Sequence, residues 1–594
     1  MNMKNLLKIT LVSATALSIV ACGGSKNDEK GEKLGNWDNP NVINHELSDP
    51  QMLNPVNSTD ASATYIQSNI FQSLLGIDFK TLELIPVLAK SRPEIIENNE
   101  GGLNYVYEIR PEAIWDDGTP ITAKDVEFTL KVIKAPGVDN LNAKPYYEFL
   151  QDIIIDESNP KKFTLVTNTV YVLGEIMSGD YTVLPQKVYD PEGIMDNYTL
   201  KQISENFDAL KEDEKLKKFA ENFNSEKYQR EPQYIVGSGP YKLKEWQTGQ
   251  KIVLERKKDW WGDALEAENV YFEAYPPQLI YQTINDQSTA LVALKGGNID
   301  VMRGIKPKDF KDLPNSPKFQ ANFNAHTPPQ MAYAYIGLNM RNPKFADLAT
   351  RKAFAHLVDL NKIIKNVVYG YATPAVGPIH PSKKKFYNDK LKPYDFNPEK
   401  AKELLEEAGW KDSNGNGTLD KMIDGELTEF EVTYIYNNGN DTRKNIGLLL
   451  QEEARKVGIK VNVNSLDWSI FLENTKNHNF DLYCGAWISS PIPSDPKQIW
   501  HTSSYNGGSN YVGFGNDETD ALIDSIRVTI DEDKRAKMVK RFQEILHEQV
   551  PYIFLYYPQE RIAIHKRFTN AETSPMRPGY HVASFKLKEE QAAQ

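Results

Sequence analysis

The chain has 594 residues, 69 Lys and Arg against 81 Asp and Glu, a formal charge of −12 at neutral pH, and two cysteines. An acidic chain whose longest basic run is Lys383-Lys384-Lys385 argues against a nucleic-acid partner and against a polybasic membrane patch. The length allows about three or four domain-sized units, enough to rest on hydrophobic cores alone.

In chain order, Lys4 and Lys8 precede an apolar run from Ile9 to Val20. That run is too short for a bilayer span of roughly 20 residues, so the N-terminus reads as a secretory signal. At its end the stretch IVAC resembles a bacterial lipobox, which makes Cys22 the lipid-carrying first residue of a mature chain. The other reading is plain signal cleavage beside an incidental cysteine. Removing residues 1–21 takes away two lysines and no acid, so the charge moves from −12 to −14. From Gly23 to Asn36 the chain is mostly Gly, Ser, Lys, Asp and Glu with little apolar content, the composition of a flexible tether. With Cys22 lipidated, Cys484 has no partner within the chain, so the fold carries no intramolecular disulfide.

The segment WDDGTP has turn chemistry, and Thr122 with Asp125 forms a capping box for a helix whose apolar positions are Val126, Leu130 and Ile133. Residues 191–231 are charged, helical in period and poor in β-formers, and are expected to form a surface helical insertion. Gly237-Ser-Gly-Pro-Tyr241 reads as a turn entering a strand, since no helix follows to make a phosphate cradle, and Trp260 and Trp261 read as packing. In FNPEKAKELLEEAGW, Asn397 caps, Pro398 opens and Gly409 closes a helix. DSNGNGTLD places Asp412, Asn414, Asn416, Gly417 and Asp420 at calcium-loop positions, but Ile423 stands where a bidentate Glu is needed, which favours an Asx-and-Gly turn. Residues 429–487 then alternate strand, helix, strand, helix, strand. That order predicts a parallel sheet with right-handed crossovers and directs attention beyond the strands' carboxyl ends, to Trp487 and the residues up to Pro496. A last helix, about Asp533 to Gln549, gives way at Pro551 to the apolar strand YIFLYY.

Catalytic signatures are scarce. No nucleophile elbow, phosphate loop or dinucleotide fingerprint occurs, and the nine histidines do not pair with one another or with Cys at metal spacing. The chain is therefore expected to be no enzyme and to hold neither metal nor cofactor.

Eight blocks in register carry a resemblance: IPVLAKS, YEIRPEAIWDDGTPITAKDVEFTL, IVGSGPYKL, LERKKDWWG, INDQSTALVALKGGNID, TRKAFAHLVDLNKII, KAKELLEEAGW and SNYVGFGNDETDALI. Together they resemble the extracellular solute-binding proteins of family 5, the oligopeptide- and dipeptide-binding lipoproteins of ABC importers. The resemblance implies an α/β fold, a two-lobed type II periplasmic-binding-protein clamshell with an extra subdomain in the first lobe. The implied organisation is a signal peptide over 1–21 and an anchor and tether over 22–36. Lobe one would then take 37–70, its extra subdomain 71–179, lobe one again 180–300 with the insertion 191–231, lobe two 301–547, and lobe one once more 548–594.

It further implies capture of a peptide or other small solute between the lobes, delivery to ABC permease and ATPase subunits, a monomer, and a body in the periplasm or outside the cell, tied to the membrane through Cys22. A surface-anchored hydrolase and a non-transport binding or sensor lipoprotein are the alternative readings. Asp60 and Ser62 fall where relatives line the cleft from lobe one. Asp60 suits a ligand ammonium and a helix cap equally well. From lobe two, Gly485, Ala486 and Trp487 end a strand whose backbone can pair with a ligand, with Trp487 either a stacking wall or core. Peptide-binding relatives place an Asp three residues beyond this Trp, for the ligand's α-ammonium. Here that residue is Ser490, and Asp495 either takes the role from further along or keeps a turn-forming duty.

Overall fold

The computed structural model describes residues 33–58, 60–140, 143–489, 491 and 493–589; Cys22 and Ser490 lie outside these. The chain forms a two-lobed α/β type II binding-protein fold around three large sheets.

The lobe-one sheet has seven strands, in the order Phe323–His326, Ile562–His565, Val301–Met302, Val42–Glu46, Gln278–Thr283, Lys251–Arg256 and Tyr241–Gln247. Its core gathers Val42, Ile66, Ile70, Leu254, Leu279 and Ile564. The Gly237-Ser-Gly turn feeds this sheet as expected. A Cβ on Gly237 would lie 2.3 Å from the Ile70 carbonyl oxygen, so only glycine lets the turn approach the helix Ala61–Ile70. Trp260 and Trp261 both donate their indole N–H to the Ser238 carbonyl, at 2.7 and 2.9 Å, a packing role. The subdomain sheet is antiparallel, in the order Glu94–Glu97, Leu103–Glu108, Lys162–Thr167 and Leu150–Ile155. The helix Ala123–Lys134 covers it with Val126, Leu130 and Ile133, and the Asp125 carboxylate accepts the Thr122 N–H at 2.9 Å.

The lobe-two sheet runs Ala372–Pro374, Tyr552–Pro558, Ala332–Leu338, Leu482–Ile488, Glu431–Asn437 and Lys460–Leu466, the last three being parallel. Strand periodicity sends Ala334, Ile336, Leu338 and Cys484 to one face and Tyr333, Tyr335 and Tyr483 to the other. The helices Pro398–Glu407 and Asp441–Lys456 cover the first face, and Trp468–Lys476 and Glu532–Gln549 the second. Fully burying Ile446 or Leu450 under this sheet stabilises it by about 2 kcal/mol each.

Two expectations need correction, and a third, the turn at 412–420, holds. Residues 191–231 are helical, but Leu216, Phe219, Phe223 and Tyr228 are buried in the lobe-one core, so the segment is a packed wall and not a surface addition. Leu216, Phe219, Ala220 and Phe223 fall at i, i+3, i+4 and i+7, a core-facing stripe that the charge of the whole segment outweighed in the sequence reading. The lobe boundaries also move. Val301–Met302 and Phe323–His326 belong to the lobe-one sheet, and Tyr552–Pro558 to that of lobe two, so the chain crosses between lobes at 327–331 and 559–561, not at 301 and 548. The two crossings bond to each other, Gln330 N–H to the Pro558 carbonyl at 2.9 Å and Glu560 N–H to the Pro328 carbonyl at 2.8 Å. The loop at 412–420 is a turn. Asp412 accepts the N–H groups of Gly415, Asn416 and Gly417 at 2.7, 3.1 and 2.9 Å.

Candidate functional site

The carboxyl ends of the three parallel lobe-two strands point towards the hinge, as do those of Val42–Glu46 and Gln278–Thr283 in lobe one. The cleft therefore lies where an open α/β sheet presents its ligands.

In lobe two, Leu482–Ile488 pairs with Ala332–Leu338 along its whole length, up to Ile488 opposite Ala332. On its other edge the ladder to Glu431–Asn437 covers only Leu482 and Tyr483. Among the described residues, Gly485, Ala486, Trp487 and Ile488 thus keep one backbone edge with no strand partner, a template for an added strand. Gly485 is required there, because a Cβ would sit 2.6 Å from the Tyr335 hydroxyl. Ala486 and Ile488 are exposed. Trp487 is half-buried, its indole N–H reaching the Tyr552 hydroxyl at 3.3 Å and its ring stacking on Tyr511 at 6.2 Å. Beneath it the hydroxyls of Tyr335, Tyr483 and Tyr552 form a chain with steps of 3.0 and 3.2 Å, and Tyr335 and Tyr552 stack at 3.8 Å. Trp487 is thus the half-buried outer end of a rigid aromatic stack.

In lobe one, Asp60 caps the helix Ala61–Ile70: its Oδ1 accepts the Ser62 N–H at 2.8 Å. Ser62 is buried. The cap reading of Asp60 is therefore realised, while its second oxygen leaves room for another donor. Sequence reasoning missed the groups nearby. Glu46, at the end of Val42–Glu46, pairs with Arg303 at 2.8 Å, and the Arg303 guanidinium lies 4.4 Å over the Tyr65 ring. Burial pushes the Glu46 carboxyl above its ordinary value, Arg303 pulls it back, and Asp60 adds to the rise. Glu46 and Arg303 are 257 residues apart, and no local pattern joins them.

Asp495 is far from Asp60 in role. Its Oδ1 accepts the Lys497 N–H at 2.9 Å, the expected turn duty, and its Oδ2 accepts Arg527 Nε at 2.8 Å and the Tyr171 hydroxyl at 3.0 Å. Tyr171 belongs to the lobe-one subdomain, so this carboxylate bridges the lobes. Behind the bridge a cavity of about 460 Å³ separates the subdomain from lobe two, with Tyr105, Tyr171 and Ile176 on one wall and Phe386, Ile526 and Val539 on the other. The structure thus gathers Gly485, Ala486 and Trp487 on one strand end, holds Asp60 and Ser62 on a lobe-one helix start, and commits Asp495 to a contact between lobes.

Residues 83–510 match the Bacterial extracellular solute-binding proteins, family 5 Middle. The chain is 29% identical to the oligopeptide-binding protein AppA of Bacillus subtilis, over 98% of each chain. The solved structure of AppA from Bacillus subtilis in complex with a nonapeptide superposes with a TM-score of 0.70 at 27% identity, covering 94% of this chain and 100% of that one. NikA from Brucella suis, solved in complex with Fe(III)-EDTA, shares the fold at a TM-score of 0.73 and 19% identity, covering 93% of this chain and 100% of that one.

Proposed function

Because the chain belongs to the family 5 bacterial extracellular solute-binding proteins, we propose that it captures a peptide or peptide-like solute between its lobes and hands it to the permease of an ABC importer. The observation that carries this reading is the open backbone edge of Gly485–Ile488, beside a hinge of two paired crossings. A ligand laid along that edge pairs through its main chain, which tolerates many side chains. In this reading Trp487 walls one side of it, and Asp60 and Ser62 are the lobe-one residues that the family resemblance assigns to the cleft. A solute touching both lobes favours the closed form by its differential affinity, and by no more than that. The body works outside the cytoplasm, binds without turnover, and is tethered through lipid on Cys22. Among the described residues no helix is long and apolar enough to cross a membrane.

Ser490 in place of the relatives' Asp weakens the case for a free amino terminus at that point, since a hydroxyl leaves a buried ammonium uncompensated at a cost of several kcal/mol. Native mass spectrometry of ligand retained from cells identifies the solute. Small-angle scattering with and without it tests the mechanism, and an unchanged radius at saturation sinks it. Replacing Cys22 by Ser tests the anchor: the protein is expected to leave the membrane fraction.

A further inference from the structure

We propose that Asp495 is a positioning residue that latches lobe two to the lobe-one subdomain, and that it is not the receptor for a ligand's ammonium. The inference deepens the solute-binding reading and rests on it only for the affinity measurements below. Three of the roughly four acceptor positions of a carboxylate are already filled in Asp495, by the Lys497 N–H, Arg527 Nε and the Tyr171 hydroxyl. The side chain is 11% exposed and its charge is already met by the Arg527 guanidinium, a partner that never deprotonates, so an ammonium arriving there would compete with a resident cation.

The contact continues beyond the carboxylate. The Arg527 carbonyl accepts the Val172 N–H at 2.7 Å, and the guanidinium lies 5.5 Å over the Tyr171 ring. Arg527 ends the helix Asp517–Val528 of lobe two, while Tyr171 and Val172 follow the subdomain strand Lys162–Thr167. Burial, and Asp495 beside it, hold the Tyr171 phenol well above its ordinary value, which keeps it a donor. Two described residues beyond the ligand-facing strand are therefore tied down. Ser489 donates to the Met331 carbonyl at 2.8 Å beside the hinge, and Asp495, six residues on, is tied to the other lobe. Closure of the lobes and placement of Asp495 become one event.

The test uses the full mature chain and three variants, Asp495→Asn, Tyr171→Phe and Arg527→Met. Scattering without ligand reads the lobes directly. All three variants are expected to show a larger radius than the parent, Tyr171→Phe the least, since it removes one hydroxyl and keeps the fold. Calorimetry then compares a pentapeptide bearing a free amino terminus with its N-acetylated twin. Loss of a charge-assisted latch is expected to weaken both about tenfold, leaving their ratio unchanged. If Asp495→Asn weakens only the free-amine peptide and leaves the radius alone, Asp495 is the ammonium receptor and the proposal falls. If neither peptide binds the parent, the solute reading is what fails. The radii still decide the latch, and unchanged radii in all three variants overturn it.

Discussion

His565 shows how a single ring sets a pH limit. Its Nδ1 accepts the Arg567 N–H at 3.1 Å, which requires a lone pair, so Nε2 carries the proton towards the Leu34 carbonyl at 3.3 Å. Burial, with the Arg567 charge beside it, pushes the imidazole down to about 4. The unfolded chain, with an ordinary imidazole near 6.5, then binds more protons than the native one between those values, so stability falls as pH drops through that window. At pH 5 the loss attributable to His565 is about 2 kcal/mol. His565→Asn, whose amide oxygen can replace the Nδ1 acceptor, is expected to flatten the fall in Tm between pH 7 and pH 5, measured by calorimetry. Trp487 gives a second residue-scale prediction. Half-buried at the end of the tyrosine stack, Trp487→Ala is expected to lower ligand affinity about tenfold and stability by about 1 kcal/mol. A loss near 4 kcal/mol, the cost of truncating a core Trp, would make it core.

At the scale of elements, close approach decides more than composition. The Gly237 turn touches the end of the helix Ala61–Ile70, whose Ile70 carbonyl also accepts the Gly239 N–H at 2.8 Å. Gly237→Ala forces that helix end outward against backbone, and urea unfolding is expected to show a loss of about 2–3 kcal/mol. Ligand affinity should fall too, because Asp60 opens the same helix. This turn, the capped helices at 123–134 and 398–407, and the three parallel strands of lobe two were legible in the sequence, because caps, glycines and period-two alternation are local signals. The strand end at Gly485–Trp487 was legible for the same reason. The partners of the site were not. Tyr171 and Asp495 are 324 residues apart, and what joins them is a tertiary contact with no spacing to betray it. The lobe boundaries were misjudged for a related cause: a two-residue strand such as Val301–Met302 carries no period at all.

For the whole molecule, the hinge is two crossings, one stiffened by Pro328 and Pro329 and the other leaving the lobe-two sheet at Pro558. Pro329→Gly frees a fixed backbone angle in the hinge. It is expected to enlarge the ligand-free radius and weaken binding about threefold, a cost near 0.7 kcal/mol, while the unfolding of each lobe is unchanged. Scattering and calorimetry on one preparation check both parts. The same two crossings bear on how the chain comes into being. Ile562–His565 lies inside the lobe-one sheet, between Phe323–His326 and Val301–Met302, and Arg567 closes on Asp300 in a bidentate pair buried on both sides. A chain made from its N-terminus therefore carries lobe one half-built, with Val301–Met302 and Phe323–His326 lacking the strand that joins them, until the last few dozen residues arrive. Lobe two, continuous from 332 to 558, has every strand of its own sheet by then and can fold first. A nascent chain stalled short of residue 562 holds one finished lobe and one with an open seam. That seam is an unpaired strand edge, open to pairing with another chain until residues 562–565 arrive.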